Sequence, residues 1–169
     1  MERIDHLIEE QIPRLRRYAR ALTGDGCRAD DLVQDTLERA WGRLNLWRRG
    51  SDIRAWLFTI MHNVYVNEVR KSRAAGFSVE LDDEALQVSV RASQEDALVL
   101  RDLTAALRSL PFEQREVLLL AGLEQMPYKE IANVLNIPSG TVMSRLARGR
   151  ERLRELMAGQ AGPALRLVK

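Results

Sequence analysis

The chain has 169 residues, 46% of them apolar and 30% charged, enough for one ordinary domain or two small ones with packed cores. Its net charge of +2 implies no global attraction to acidic partners, and its single cysteine, Cys27, excludes an internal disulfide or a Cys/His metal cluster. No run approaches the roughly 20 apolar residues of a bilayer span and the N-terminus has no signal-type apolar core, so a cytoplasmic protein without membrane insertion is expected.

Leu, Ala, Arg and Glu dominate while Gly and Pro are sparse, which predicts an all-α fold. Ile4, Leu7, Ile8, Ile12, Leu15, Ala19 and Leu22 recur at steps of three and four, the mark of one helix face. Pro13 falls inside that pattern and predicts a kink or two short helices. Thr23-Gly24-Asp25-Gly26 ends the segment.

A second helix is expected over about 29–44. Leu32, Val33, Leu37, Ala40, Trp41 and Leu44 form its buried side, and Asp31, Gln34, Asp35 and Glu38 share the other. Asp30 and Asp31 suit the positive end of the helix dipole. After the turn Arg49-Gly50-Ser51, Asp52 is a good N-cap for a third helix, Ile53 to about Arg73. Ile53, Trp56, Leu57, Ile60 and Val64 make its core stripe, whereas His62, Asn63, Asn67, Arg70, Lys71 and Arg73 make its second half polar and basic.

Residues 74–92 lack a helical stripe and read as an acidic, flexible linker that could reach up to roughly 60 Å if extended. From 77 to 96, six acids oppose Arg91. Ser93 and Asp96 resemble a capping pair for the next helix, with apolar positions Leu98, Leu100, Leu103, Ala106, Leu107 and Leu110. Pro111 suits the start of a further helix from Phe112 to about Ala121.

The stretch 128–154 carries the strongest functional signal. A helix Tyr128 to Leu135, the turn Asn136-Ile137-Pro138 and a longer helix from Gly140 to about Met157, capped by Ser139, form a helix-turn-helix. Ile131, Ala132 and Leu135 can pack on Val142 and Leu146, with Ile137 plugging the turn. The second helix offers Thr141, Ser144, Arg145, Arg148 and Arg152 on a polar face. Between 139 and 156, five arginines oppose Glu151 and Glu155. Such a helix fits the major groove, where Arg can bind guanine with two hydrogen bonds, and its N-terminus at Ser139 can meet a phosphate.

Six sets of residues carry a family resemblance. Tyr128-Lys129-Glu130-Ile131-Ala132, the run Gly140 to Leu146 and Arg148-Gly149-Arg150, with the preceding Leu110 to Leu118, resemble region 4 of extracytoplasmic-function (ECF) sigma factors. Asp30 to Leu37 resembles region 2.2, and Arg54 to Ile60 with Asn63 resembles regions 2.3 and 2.4. The resemblance implies a region 2 domain at 1–73, an acidic linker at 74–92, a region 4 helix-turn-helix domain at 93–158 and a tail at 159–169.

It also implies partners: core RNA polymerase, promoter DNA and an anti-sigma factor. Asp31, Gln34, Asp35 and Glu38 would meet the polymerase clamp. Asn63 would capture an unpaired base of the −10 element, with Arg54, Asn67, Arg70 and Lys71 on or beside the same helix. Met143, Ser144, Ala147 and Arg148 would face bases of the −35 element, flanked by Ser139, Thr141 and Arg145. Met143 stands where Lys or Arg is frequent and Ala147 is small, which leaves Ser144 and Arg148 as the better base readers.

The linker would thread toward the polymerase active site. No enzyme activity and no cofactor are expected, and no nucleotide-binding GxxxxGK[ST] loop is present. Three other readings stay open: a dimeric helix-turn-helix regulator, a small metal-dependent nuclease using Asp30, Asp31, Asp35, Asp82 and Asp83, and a sigma-like decoy.

Overall fold

The computed structural model describes residues 2–76 and 93–160, and it bears out the all-α expectation: those residues hold seven α-helices, one short 3-10 turn and no strand. The helices are α1 (Glu2–Thr23), α2 (Gly26–Gly42), α3 (Ile53–Ala74), α4 (Gln94–Arg108), α5 (Phe112–Gly122), α6 (Tyr128–Leu135) and α7 (Ser139–Gln160). Nearly all of the linker expected at 74–92, with Asp82 and Asp83, lies outside the described residues, as does the tail from 161.

In the N-terminal domain, α1, α2 and α3 pack on one another. Asp25 and Asp52 start α2 and α3: the Asp25 carboxylate accepts from the Arg28 N–H, and that of Asp52 from the Arg54 and Ala55 N–H groups. The core joins Ile8, Leu15 and Leu22 to Leu32, Leu57 and Met61, with Tyr18 set edge-on to Phe58 at 5.0 Å between ring centres. The Thr36 hydroxyl, buried here, donates to the Leu32 carbonyl at 2.6 Å.

Pro13 does not divide the first helix. α1 runs through it as one element with Pro13 on the exposed side, where the carbonyl one turn back can turn to water instead. Two other expectations are corrected. Trp41 is 41% exposed and Leu98 58% exposed, so neither belongs to the core stripe assigned to it.

In the C-terminal domain α5, α6 and α7 share a core of Val117, Leu120, Ile131, Leu135, Val142 and Leu146. Ser93 and Asp96 form the capping pair: the Ser93 hydroxyl accepts from the Asp96 N–H at 3.2 Å and donates to its carboxylate at 2.7 Å. α6 ends at Asn136, whose φ of 52° places it in the left-handed region that Asn tolerates. α7 begins at Ser139 rather than after it; the Pro138 carbonyl accepts from Thr141 and Val142 at 3.0 and 3.2 Å. Gly149 lets α7 approach α5: a Cβ there would sit 3.0 Å from Leu118 Cδ1.

The two domains are docked, and their apolar residues form one continuous cluster. α5 lies on α1, and α6 on α3. A side chain beyond Cβ at Gly149 must push α5 and α7 apart. Gly149→Val is expected to cost about 1–3 kcal/mol and to lower the thermal midpoint, whereas Gly122→Ala, where a Cβ meets nothing within 4 Å, should stay within about 0.5 kcal/mol.

Candidate nucleic-acid interface

The helix-turn-helix geometry follows from three local features. Buried Ala132 brings α6 and α7 together, the Ile137 N–H donates back to the Ala132 carbonyl at 3.0 Å, and Ile137 packs against the core. These fix α7 with one face inward, Val142 and Leu146, and one face in solvent, Met143, Ser144, Ala147 and Arg148.

Arg148 is held along its own helix. Its Nε donates to the Ser144 carbonyl at 3.3 Å and its Nη2 to the Ser144 hydroxyl at 3.2 Å. The Ser144 hydroxyl donates to the Thr141 carbonyl at 3.1 Å. Arg150 donates to the Tyr128 hydroxyl at 3.2 Å. Ser139 is exposed and Thr141 half-buried. Arg145 stands apart from the exposed face: it is half-buried and lines a crevice with His62, Arg70, Arg73, Glu113 and Glu116.

On α3 the basic residues split into two faces. At 100° per residue, Asn63, Asn67 and Arg70 fall on one side with Lys71 beside them, and all four are exposed. Arg54 lies nine residues before Asn63, half a turn away in projection. It points at the C-terminal domain, where its Nη1 donates to the Glu124 carbonyl at 3.2 Å and its Nη2 to the Glu130 carboxylate at 3.0 Å.

A third patch lies on α2. Asp31, Gln34 and Glu38 are exposed and Asp35 half-buried, with Gln34 Nε2 donating to Glu38 at 3.1 Å. Gln34 and Glu38 line a cleft between α1 and α2 with Arg16, Arg20 and Trp41. The sequence pattern missed Glu68 on α3, which joins this patch. Partial burial and the charges of Asp35 and Asp31 raise its carboxyl above the ordinary range, against Arg28 and Arg39.

Also missed was the seam between the domains. Phe112, Glu116, Leu119 and Leu123 form one face of α5 turned on the N-terminal domain. Glu116 is buried against His62 Nδ1, and Phe112 lies 5.0 Å from Tyr65 between ring centres. Burial pushes the Glu116 carboxyl up, the hydrogen bond and charge of His62 opposing it. Glu124, also buried, meets Arg17 at 3.1 Å and Arg14 at 3.8 Å. The available signal was a carboxylate at position 116 within the apolar spacing 112, 119, 123.

Among the described residues, no three His, Cys, Asp or Glu side chains converge as metal ligands, so Asp30, Asp31 and Asp35 form no such group. No described helix is long and apolar enough to cross a membrane.

This arrangement has close relatives. Residues 8–62 match the Sigma2 domain of PhyR, and residues 100–153 match Sigma-70, region 4. The chain is 37% identical over 148 residues to the ECF RNA polymerase sigma factor EcfG of Rhodopseudomonas palustris, across 86% of this chain and 80% of that one. It is 29% identical over 154 residues to the ECF RNA polymerase sigma factor SigM of Bacillus subtilis, across 90% and 94%. The sigma factor RpoE of Bartonella quintana, crystallised with the anti-sigma factor NepR, superposes with a TM-score of 0.79 at 33% identity over 94% of this chain and 98% of that one. With a region 2 domain, a region 4 helix-turn-helix and full-length similarity of this order, the chain belongs to the ECF family of RNA polymerase sigma factors.

Proposed function

We propose that this protein binds core RNA polymerase through the α2 patch and directs it to promoters, reading the −35 element with α7 and the −10 element with α3. The observation that carries this reading is the pairing, in one sigma-family chain, of a solvent-facing Ser144–Arg148 stripe on a helix-turn-helix with an exposed Asn63, Asn67, Arg70 stripe on α3.

Each surface has a chemistry suited to its task. The Arg148 guanidinium can pair with a guanine edge in the major groove. The Asn63 amide can donate and accept at once on the edge of an unstacked base, so strand opening can draw on base capture, which costs a few kcal/mol that a shaped pocket can offset. Arg70 and Lys71 suit backbone phosphates, which carry no sequence information but fix register. The acidic α2 patch suits a basic partner surface. Ser139 and Thr141 sit at the α7 N-terminus, where N–H groups favour phosphate. Arg145 and Arg54 would reach DNA only after moving from their present partners. These assignments describe a cytoplasmic transcription factor that does no chemistry of its own.

Regulation by an anti-sigma protein belongs to the same proposal. RpoE is known in complex with the anti-sigma factor NepR, and CnrH, whose fold is similar, in complex with the cytosolic domain of CnrY. In this chain, Leu100, Leu103, Leu107, Leu119 and Leu123 line a groove between α1, α4 and α5, edged by Arg16, Arg17 and Arg20. A second reading, a sigma-like module that only captures an anti-sigma protein, is favoured by the match of residues 8–62 to the Sigma2 domain of PhyR.

Run-off transcription with core enzyme over genomic promoter fragments separates the two, because a decoy yields no promoter-specific transcript from any fragment. In the same assay Arg148→Ala should lose about 1–3 kcal/mol of recognition, roughly fivefold to over a hundredfold in promoter-specific product. Asp35→Arg should weaken binding to core enzyme by at least about tenfold while leaving the helical content unchanged. Wild-type behaviour of both variants would contradict the surface assignments.

A further inference from the structure

We infer that Met143 is a specificity determinant that reads the C5-methyl group of one thymine in the upstream promoter element, by apolar contact in the major groove. The inference rests on the reading above of α7 as the −35 helix. It goes beyond that reading, which gave the base contact to Arg148, by naming a second contact and the base it selects.

Met143 is 52% exposed, while its neighbours Val142 and Leu146 are buried. The inward face of α7 is therefore complete without it, and its thioether stands on the face that carries Ser144, Ala147 and Arg148. A lone exposed apolar side chain is ordinary on a protein surface. What singles Met143 out is its surroundings.

Residues three and four positions apart are neighbours on a helix. Around Met143 these are Ser139, Gly140 and Ala147 in solvent and Leu146 in the core. None is charged, and the three in solvent are small. At 100° and 1.5 Å per residue, Met143 and Arg148 lie about 140° apart in projection and about 7.5 Å apart along the axis, with Ala147 and Ser144 between them. That rise is roughly two steps of the duplex at 3.4 Å per base pair. Arg148 is held on its own flank by Ser144, to whose carbonyl and hydroxyl it donates at 3.3 and 3.2 Å. The reading face is thus divided into a cationic donor flank at Arg148 and an apolar flank at Met143. Ala147, with only a methyl group, keeps the floor between them low enough for base edges to approach both.

The chemistry of the apolar flank selects the base. In the major groove guanine shows two acceptors, cytosine a donor, adenine an acceptor and a donor, and thymine an acceptor with a methyl group. Met has no N–H or O–H to donate, and its sulfur accepts only weakly. Over guanine, cytosine or adenine it would strip water from polar edges and return no hydrogen bond. Over thymine it covers a methyl group. Its unbranched, flexible side chain can follow that methyl without moving the helix.

The test uses the full chain assembled with core polymerase and a promoter fragment with about ten positions around −35 randomised. Fragments retained by the holoenzyme are enriched and sequenced for wild type, Met143→Arg, Met143→Ala and Arg148→Ala. Wild type should fix a thymine at one position beside the guanine contact of Arg148. Met143→Arg should change that position to guanine, the base that Arg pairs with, and leave the others as they were. Replacing that thymine by uracil removes only the C5-methyl. The change should weaken wild-type binding about fourfold, the factor that corresponds to about 0.8 kcal/mol of buried methyl surface, and should leave Met143→Ala binding unaltered.

Uracil tolerated by wild type at every thymine of the enriched element overturns the Met143 assignment. So does an equal uracil penalty in wild type and Met143→Ala, or a thymine retained in the Met143→Arg pool. In each of these cases the element itself survives, and the −35 reading of α7 stands. An enriched element that Arg148→Ala leaves unchanged, or no enriched upstream element at all, strikes that reading and the Met143 assignment with it.

Discussion

Seating the α5 face on α1 and α3 constrains everything else in this molecule. Phe112 meets Tyr65, Glu116 meets His62, and the turn after α5 carries Glu124 to Arg17 and Arg14. Through these contacts the helix-turn-helix is held on the three-helix domain. Tyr18 and Arg115 are buried in the same seam. Burial, with the charges of Glu116 and Glu124 adding to it, raises the Tyr18 phenol well above its ordinary range, and burial lowers the Arg115 guanidinium from its own. Charged groups tolerate such surroundings only with partners, and Arg115 has one in the Arg108 carbonyl of its own domain at 3.3 Å and another in Tyr65 of the opposite domain.

The docking sorts the functional surfaces. The α2 acidic patch, the Asn63 face of α3 and the Ser144–Arg148 face of α7 remain in solvent, while Arg54 and Arg145 turn toward the seam. Every surface proposed to meet polymerase or DNA therefore sits on a helix of one domain or the other. A sigma factor needs that division: precise local readers whose spacing is set by the promoter rather than by the protein.

Much of the fold was legible because it is local. Asp52 and Ser93 announced their helices through capping chemistry, the 128–135 helix and its turn were bounded by Pro127 and Asn136, and the small Ala132 marked the close approach of α6 to α7. Trp41 and Leu98 misled because spacing alone cannot distinguish a stripe that meets a neighbour from one that runs past its end. The seam was illegible for a different reason. Its pairs are 47 to 110 residues apart, as with Tyr65–Phe112 and Arg14–Glu124, and no periodicity links them. Arg54 was grouped with Asn63 because both lie in one family motif. Helical geometry would have separated them, since nine residues place them on opposite sides of α3.

The central claim, that α7 and α3 read two separated promoter elements at once, can be tested by attaching an iron chelate at position 143 and, separately, at position 67, in protein assembled with core polymerase on promoter DNA. Hydroxyl-radical cleavage from the two sites should fall in two clusters at least about two helical turns apart, on the order of 70 Å or more at 3.4 Å per base pair. Cleavage from both sites within the same few base pairs, or none from position 67, would contradict the account.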